Sequence, residues 1–474
     1  MIRNAPDRPE ERTPGRTGPG LAPGDVVEVA VTDVLQNGQG VGRTGGVVVF
    51  AWGPLPGERA RVRITAVKPK YAVADVVELL ERSPDRVDPV CPLFGTCGGC
   101  QLQHLAYPAQ LAWKQSVVRS ALARIGALGD VAVSAPIGMD VPLGYRNKAA
   151  LVVRDDDGSV ELGFYQARSH DVVAVERCPV VTPLLDEMIA GLWKAARDPE
   201  AAAAFADARH VVTRVATASP EAVVSITTER RSAAVARSAA ALHRMLPHAV
   251  GISNSYEPSG ENAVMGRKQQ TVFGRPEIEE DLGGLRLGVS APSFFQVNSA
   301  MVGRIFEHMR PLVQPGRRIV DLYCGAGTFS LFFAACGAEV VGVEENGGAV
   351  REARANAERN ALSGKTSFVA GKVENVRQAG SPAAAAIERA DVVFLDPPRK
   401  GSDEGTLAAI AAAEVPEVWY LSCNPSTLAR DLALLVAAGY VLGAVQPFDM
   451  FPQTGHVEAL ALLRRAVPAA PKAG

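Results

Sequence analysis

No run of apolar residues in the chain approaches the ~20 needed to span a bilayer, so a helical membrane protein is not expected. No sign of charge dominates: 49 Lys and Arg against 51 Asp and Glu leave a formal net charge of −2. A polyanion-binding protein built on overall basicity is thereby excluded, and any nucleic-acid surface must be a local patch. The first 22 residues are rich in Pro, Gly, Arg and Glu and lack the apolar core of a secretion signal; they read as a disordered tail. The expected compartment is therefore the cytoplasm. Seven cysteines are few for 474 residues. In a reducing compartment they are not expected to pair, and clustered ones point to a metal or to catalysis. No internal repeat of useful length is present. What is present is ample apolar material, 47% of residues, enough for two or three compact domains.

The hydrophobic period changes twice along the chain. From Gly24 to about Leu80 short β-runs (Val27–Val31, Val47–Phe50, Ala60–Val67) are separated by Gly-rich turns at Gly38–Gly45 and Pro54–Gly57, the pattern of a small β-barrel. From Asp85 to about Ser290 the pattern mixes a cysteine cluster, a helix over Pro108–Ile125, a hairpin turning at Asp157-Gly158, and Ala-rich helices over Pro183–Ala206 and Ser232–Met245. From about Val297, apolar runs (Ile319–Tyr323, Glu339–Glu344, Ser367–Ala370, Val392–Asp396, Val418–Ser422) alternate with helical patterns, which predicts a parallel, doubly wound sheet. Val441–Gln446 and Val457–Leu463 close the chain through a short loop, so the last strand is expected to run antiparallel. The expected fold class is multidomain: an N-terminal β-barrel over 23–82, an α+β middle domain over 83–290, and a C-terminal Rossmann-like α/β domain over 291–474.

The first strand of that sheet runs into Asp321-Leu322-Tyr323-Cys324-Gly325-Ala326-Gly327-Thr328, whose glycines let backbone approach a ligand at the sheet edge. Leu331 and its neighbours deny the third glycine of a pyrophosphate loop. Glu344 ends the next strand about 20 residues on, where an acid accepts hydrogen bonds from ribose hydroxyls. A glycine loop with a strand-end acid suits a nucleoside without phosphates, such as S-adenosylmethionine; a bland helix-cap role for Glu344 is the competing reading.

The fourth strand runs into Asp396-Pro397-Pro398-Arg399-Lys400-Gly401, the fifth into Ser422-Cys423-Asn424-Pro425, and the segment Asp449–Glu458 leads into the last. Ligands of open α/β sheets sit at the carboxyl ends of the strands, so Asp396, Cys423 and Glu458 should converge there. A thiolate and a carboxylate at one site suit methylation of a pyrimidine at carbon 5. The thiolate adds to carbon 6 and makes carbon 5 nucleophilic, and the carboxylate then removes the carbon 5 proton. Cys423 alone would more often be a small buried hydrophobe; Cys324 and Cys336 are assigned to packing. Thr454 and His456 are supporting candidates.

These pieces together, D-L-Y-C-G-A-G-T, D-P-P-R-K-G, S-C-N-P and T-G-H-V-E ending at Glu458, resemble the bacterial RNA 5-methyluridine methyltransferase family. Phe294-Phe295-Gln296-Val297-Asn298 is similar to the segment leading into its catalytic domain, and the likeness covers Gly24 to about Arg465. The resemblance implies Cys423 as nucleophile, Glu458 as base, and Gln296, Tyr323, Thr328, Glu344 and Asp396 as contacts to S-adenosylmethionine. It implies a TRAM-type, OB-like RNA-binding module in the β-barrel, and a class I methyltransferase in the last domain. Lys372 departs from the Asp or Asn frequent after the third strand in the family, which makes Glu374 the substitute candidate for the adenine contact.

Cys91, Cys97 and Cys100 are spaced C-x5-C-x2-C, and Cys178 stands alone. Spacing leaves a four-thiolate zinc site and a [4Fe–4S] cluster both open; the resemblance implies the cluster. Tyr145-Arg146-Asn147-Lys148 resembles a family segment facing RNA, with a solvated strand end as the plain alternative. Phe294 and Phe295 are candidates to stack on a flipped base, though one is expected in the core. The target is RNA: ribosomal 23S RNA by resemblance to the branch with TRAM module and cluster, with transfer RNA open. No obligate protein partner is evident. Rival readings are a cytosine-5 enzyme, which would be expected to carry Pro-Cys where Ser422 stands here, a non-catalytic RNA-binding iron–sulfur protein, and a nicotinamide oxidoreductase.

Overall fold

A computed structural model describes residues 20–156, 159–260 and 263–466. The Asp157-Gly158 turn and residues 1–19 of the predicted tail lie outside them. The chain divides into two compact units: residues up to Asp88 with His104–Ala106, and Pro89–Gln103 with Tyr107 onward.

The first unit is a closed barrel of β1 (Val26–Val34), β2 (Gln39–Thr44), β3 (Val47–Trp52), β4 (Arg59–Lys68) and β5 (Tyr71–Glu81), in the order β1-β2-β3-β5-β4. Alternation sends Val29, Val31, Val49, Val62, Ile64, Ala72 and Ala74 inward. One expectation is corrected here. The stretch Gly38–Gly45, read as a turn, is mostly strand β2. Its glycines mark close approach rather than chain reversal: a Cβ on Gly42 would lie 2.3 Å from Val29 Cγ1, and one on Gly40 2.5 Å from the Pro54 carbonyl.

In the second unit, α1 (Tyr107–Arg124) precedes a mixed seven-stranded sheet. Its strands are β6 (Lys148–Asp156), β7 (Ser159–Tyr165), β8 (Val172–Ala174), β9 (Ala208–Val215), β10 (Ala222–Thr228), β11 (Ala249–Pro258) and β12 (Gly266–Gly274), in the order β12-β11-β10-β9-β6-β7-β8. Helices α2 (Pro183–Arg197) and α3 (Ala233–Met245) pack apolar faces such as Leu185, Met188, Ile189 and Leu192 onto it. Thr182 caps α2 through the Leu185 N–H and Pro183 occupies its first turn. The helix ends at Arg197, nine residues before Ala206 where the sequence pattern placed its end, because Asp198 and Pro199 break it; the Asp198 carboxylate accepts from Glu200 and Ala201 N–H.

A hairpin of β13 (Glu277–Leu282) and β14 (Leu285–Ser290) leads to α4 (Ser299–Met309) and the second sheet. Its strands are β15 (Arg318–Leu322), β16 (Glu339–Glu344), β17 (Thr366–Ala370), β18 (Val392–Leu395), β19 (Glu417–Ser422), β20 (Tyr440–Phe448) and β21 (Glu458–Arg465). The order is β17-β16-β15-β18-β19-β21-β20, with β21 antiparallel to both neighbours and the first five strands parallel. The strands are apolar on both faces and feed two cores, as doubly covered parallel strands do. Helices α5 (Thr328–Ala335), α6 (Gly347–Arg359), α7 (Pro382–Ile387), α8 (Glu404–Ala412) and α9 (Pro425–Ala437) make the crossovers. Val118 and Leu122 of α1 share a core with Leu428 and Leu432 of α9. No helix among the described residues is long and apolar enough to cross a membrane.

Candidate active site

The ladders of the second sheet align the chemistry along one edge. Leu322 pairs with Val343 on one side and Leu395 on the other, so Tyr323, Glu344 and Asp396 leave three adjacent strand ends together. Ser422 pairs with Ala459 in antiparallel register, which sets the next residues, Cys423 and Glu458, opposite each other. The order reversal between β16-β15 and β18-β19 is the crevice where open α/β sheets hold ligands.

The loop after β15 is conformationally unusual. Tyr323 is non-glycine yet sits at φ 68°, and Gly325 and Gly327 sit at 55° and 86°. Tyr323 and Cys324 N–H both donate to the Val343 carbonyl, which holds the turn against β16. The Glu344 carboxylate accepts from Gly325 N–H (3.2 Å) and Asn346 N–H (2.7 Å). A Cβ on Gly325 would meet nothing within 4 Å, so open space faces this loop. Thr328 begins α5 beside it. Gln296 is half-buried in the segment before α4, its carbonyl accepting from Asn147 Nδ2. Lys372 is exposed, whereas Glu374 is half-buried and acts electrostatically on the Tyr323 hydroxyl, which also meets Ser402 Oγ at 3.3 Å.

The acids of the edge lie in a common field. Burial, with the charge of Asp396, pushes the Glu458 carboxyl well above the usual range; only 2% of Glu458 is exposed and its Oε1 has no hydrogen-bond partner. Burial lifts Asp396 to about 7. Burial, then the charges of Glu458 and Asp396, lifts the Cys423 thiol to about 11, against the pull of Arg399. Buried Asp321, which accepts from Ser330 Oγ, is lifted to about 8 by burial, with Asp396 and Glu344 adding to it. Acidic groups this crowded favour an added cation, and the sulfonium and ammonium of S-adenosylmethionine are that charge type. The residues present therefore fit this ligand. His456 is held down to about 4 by burial and by Arg399, whose guanidinium lies 3.4 Å from its Nε2. Thr454 Oγ1 donates to the Phe451 carbonyl and accepts from His456 N–H.

Phe295 is buried and Phe294 is 78% exposed, so one ring packs and the other is free to stack. Tyr145 is buried and donates to the Pro452 carbonyl; Asn147 binds Ser299 Oγ. Arg146 and Lys148 are half-buried. Burial, with Arg214 and Arg146 close by, pulls Lys148 down to about 7. The other three candidate cysteines act electrostatically on Cys100, which is lifted to about 12 by burial, with Cys178, Cys97 and Cys91 contributing. Cys97 Sγ accepts from Gly99 N–H, and Val180 and Val181 N–H point at Cys178. Among the described residues no group of three or more His, Cys, Asp or Glu is drawn together to hold a metal ion. Sequence reasoning missed Asp321 and the supports of the edge, such as Lys114 against Asp449 and Asp431 against the Ser402 N–H. The supports have partners distant in sequence, and the charges that act on Asp321 come from other strand ends, so no local signal marks them.

The model of the tRNA (uracil-5-)-methyltransferase family matches residues 106–466, and that of the TRAM domain matches residues 20–77. The chain belongs to this methyltransferase family. It is an RNA (uracil-5-)-methyltransferase with an N-terminal TRAM barrel. An RNA methyltransferase of Thermosynechococcus vestitus is 38% identical over 450 residues, 93% of this chain and 98% of the relative. One of Halalkalibacterium halodurans is 36% identical over 451 residues, 93% of this chain and 97% of the relative. Among solved structures, the tRNA (uracil-54, C5)-methyltransferase of Pyrococcus abyssi, in complex with S-adenosyl-L-homocysteine, is similar at 26% identity and TM-score 0.72. The match covers 92% of this chain and 99% of that one. The methyltransferase fold and the use of S-adenosylmethionine follow for this enzyme, as does an RNA substrate.

Proposed function

We propose that the enzyme methylates carbon 5 of a uridine in RNA through a covalent bond from Cys423. The carrying observation is the register that sets Cys423 opposite Glu458 beside Asp396. The Cys423 thiol gives its proton to solvent water and its sulfur bonds to carbon 6, moving the ring electrons toward the carbon 4 oxygen. S-adenosylmethionine supplies a methyl group made electrophilic by its sulfonium sulfur; carbon 5 takes it as the sulfur–methyl bond breaks, leaving S-adenosyl-L-homocysteine. Glu458 removes the carbon 5 proton, the carbon 5–carbon 6 double bond re-forms, and the sulfur–carbon bond breaks to return the thiolate. The raised pKa of Glu458 makes its ionised form, the form that acts in this step, a strong base in a dry site. Gln296, Tyr323, Thr328, Glu344 and Asp396 hold the cofactor, with Glu374 rather than exposed Lys372 toward the adenine. Phe294 stacks on the flipped base while Arg146 and Lys148 meet phosphate.

The RNA assigned is 23S ribosomal RNA, on the joint presence of a TRAM barrel and four cysteines. The likeness to a Pyrococcus enzyme acting on tRNA favours transfer RNA as the second reading. Cys91, Cys97, Cys100 and Cys178 are assigned to a [4Fe–4S] cluster of structural or RNA-binding role. Backbone N–H groups aimed at the sulfurs of Cys97 and Cys178 support it. The cluster is tested by iron and sulfide content after anaerobic purification, where stoichiometric zinc would overturn it. The domain boundaries proposed are 23–82, 83–290 and 291–474, and the compartment is the cytoplasm.

The deciding experiment incubates the protein with S-adenosylmethionine and RNA carrying 5-fluorouridine, 23S and transfer RNA separately, followed by mass spectrometry. Fluorine at carbon 5 does not leave as a proton, so a methylated RNA–protein adduct should form on Cys423 and vanish in Cys423→Ala. No adduct with either RNA would overturn the covalent mechanism.

A further inference from the structure

The base-carrying segment is held from outside its own sheet, and the holder is the cysteine-bearing loop. Residues 449–457 have no strand partner of their own before β21 begins. The Gln453 carbonyl instead accepts two N–H bonds, from Gln101 (3.0 Å) and Leu102 (2.9 Å), which directly follow Cys100. Gly455 N–H donates to Gln101 Oε1 at 3.4 Å, and the same side chain donates from Nε2 to the Gly98 carbonyl at 2.9 Å, closing the loop between Cys97 and Cys100. Gln110 of α1, 1% exposed, completes the clamp: Nε2 meets the Leu102 carbonyl and Gln453 Oε1, and Oε1 accepts from Gln453 N–H. Gln453 is non-glycine at φ 69°, a conformation that surrounding bonds must hold. Glu458 follows five residues later, with one carboxyl oxygen unpartnered.

We propose that the loop Gly98–Gln103 positions Glu458 for proton removal, and that Gln101 is the positioning residue through which it acts. The inference rests on Glu458 being the base that resolves the covalent adduct. It gives the cysteine loop a task in the reaction without any electron transfer. A change in the loop is felt at the last step, adduct breakdown, and not at thiolate addition, because β19 and α9 hold Cys423 independently of residues 449–457.

The test is single-turnover reaction of the full-length protein with unmodified substrate RNA and S-adenosylmethionine, quenched in denaturant, with the RNA–protein adduct resolved by gel. Loss of one such bond corresponds to about a tenfold slower turnover. In Gln101→Ala, turnover should fall by that factor while trapped adduct rises above wild type and the rate of adduct formation stays unchanged. Gln101→Glu keeps an oxygen for Gly455 N–H and should recover most of the turnover. Glu458→Gln is the reference and should trap adduct outright. If Glu458→Gln traps adduct but Gln101→Ala does not, the positioning role is wrong while the mechanism stands. If Glu458→Gln traps none, the base assignment fails and this inference falls with it.

Discussion

The Cys423 thiol sits against two carboxyl groups, and its reactivity is governed by them. Burial and the charges of Glu458 and Asp396 put it at about 11, so in the free protein it is a thiol at neutral pH. The thiolate fraction then grows with pH without saturating, and alkylation of Cys423 by iodoacetamide should quicken about tenfold per pH unit between pH 7 and 9. Asp396→Asn removes one of the charges that raise the thiol, so its alkylation at pH 8 should be faster than in wild type. An equal or slower rate would show that burial alone sets the thiol. Asp321 gives a second test. Its carboxyl is lifted to about 8 in the folded chain, against about 3.9 unfolded. The folded state binds the extra proton, so its stabilising share is complete below pH 4 and is lost as pH rises toward 8. Asp321→Asn, which keeps an oxygen for Ser330, should therefore raise the melting temperature more at pH 8 than at pH 5. That Cys423 and Glu458 would meet at one sheet edge was legible in the sequence, because short segments at strand ends carry them. The repulsion that tunes them was not, since it arises only where β18, β19 and β21 end together.

At the scale of elements, the strands of the second sheet were legible within a residue or two, because strands covered on both faces are continuous apolar runs. The middle sheet was legible only in its β6–β7 hairpin: β10 and β11 pair in parallel residues 27 or 28 apart in sequence, and β6 meets β9 across 58 to 66 residues. Strand β2 was hidden by the glycines that its close packing demands. The support of residues 449–457 belongs to the same class of long-range feature. Lys114 of α1 donates to Asp449 and to the Phe451 carbonyl (3.0 Å), and neither member of the Lys114–Asp449 pair has any exposed side chain. Burial pulls the Lys114 ammonium down, with Asp449 opposing that shift. Removing one partner of such a pair strands the other, at a cost of about 3–5 kcal/mol. Lys114→Ala should lose that much stability in urea unfolding. Lys114→Met with Asp449→Leu should recover part of it if the cost lies in the stranded charge.

On the scale of the whole molecule, a net charge of −2 forces RNA affinity to come from particular cations rather than from total charge. The barrel divides its own cations into two kinds. Arg59 is tied to Glu28 and Glu81, and Arg61 to Glu28 and Glu78, across neighbouring strands. Arg43, Arg63, Lys68 and Lys70 are exposed and make no ion pair among the described residues. A cation already neutralised by two carboxylates releases few counterions from RNA; a free one releases its share. The slope of log affinity against log salt should therefore shrink by about 0.7 for each phosphate contact removed from single-stranded RNA. Arg63→Ala and Lys68→Ala should each lower the slope by that step. Arg59→Ala should leave the slope nearly unchanged, because Arg59 is already paired with Glu28 and Glu81. Arg146→Ala should lower the slope as the free barrel cations do, and Lys148→Ala by a smaller step, since burial pulls Lys148 down to about 7 and leaves it partly neutral. Fluorescence anisotropy with a labelled RNA between 50 and 300 mM salt (on the order of one Debye length, ~10 Å, at 0.1 M) reads all five variants. Equal slopes for Arg59→Ala and Arg63→Ala would mean that pairing on the barrel does not decide which cations meet phosphate.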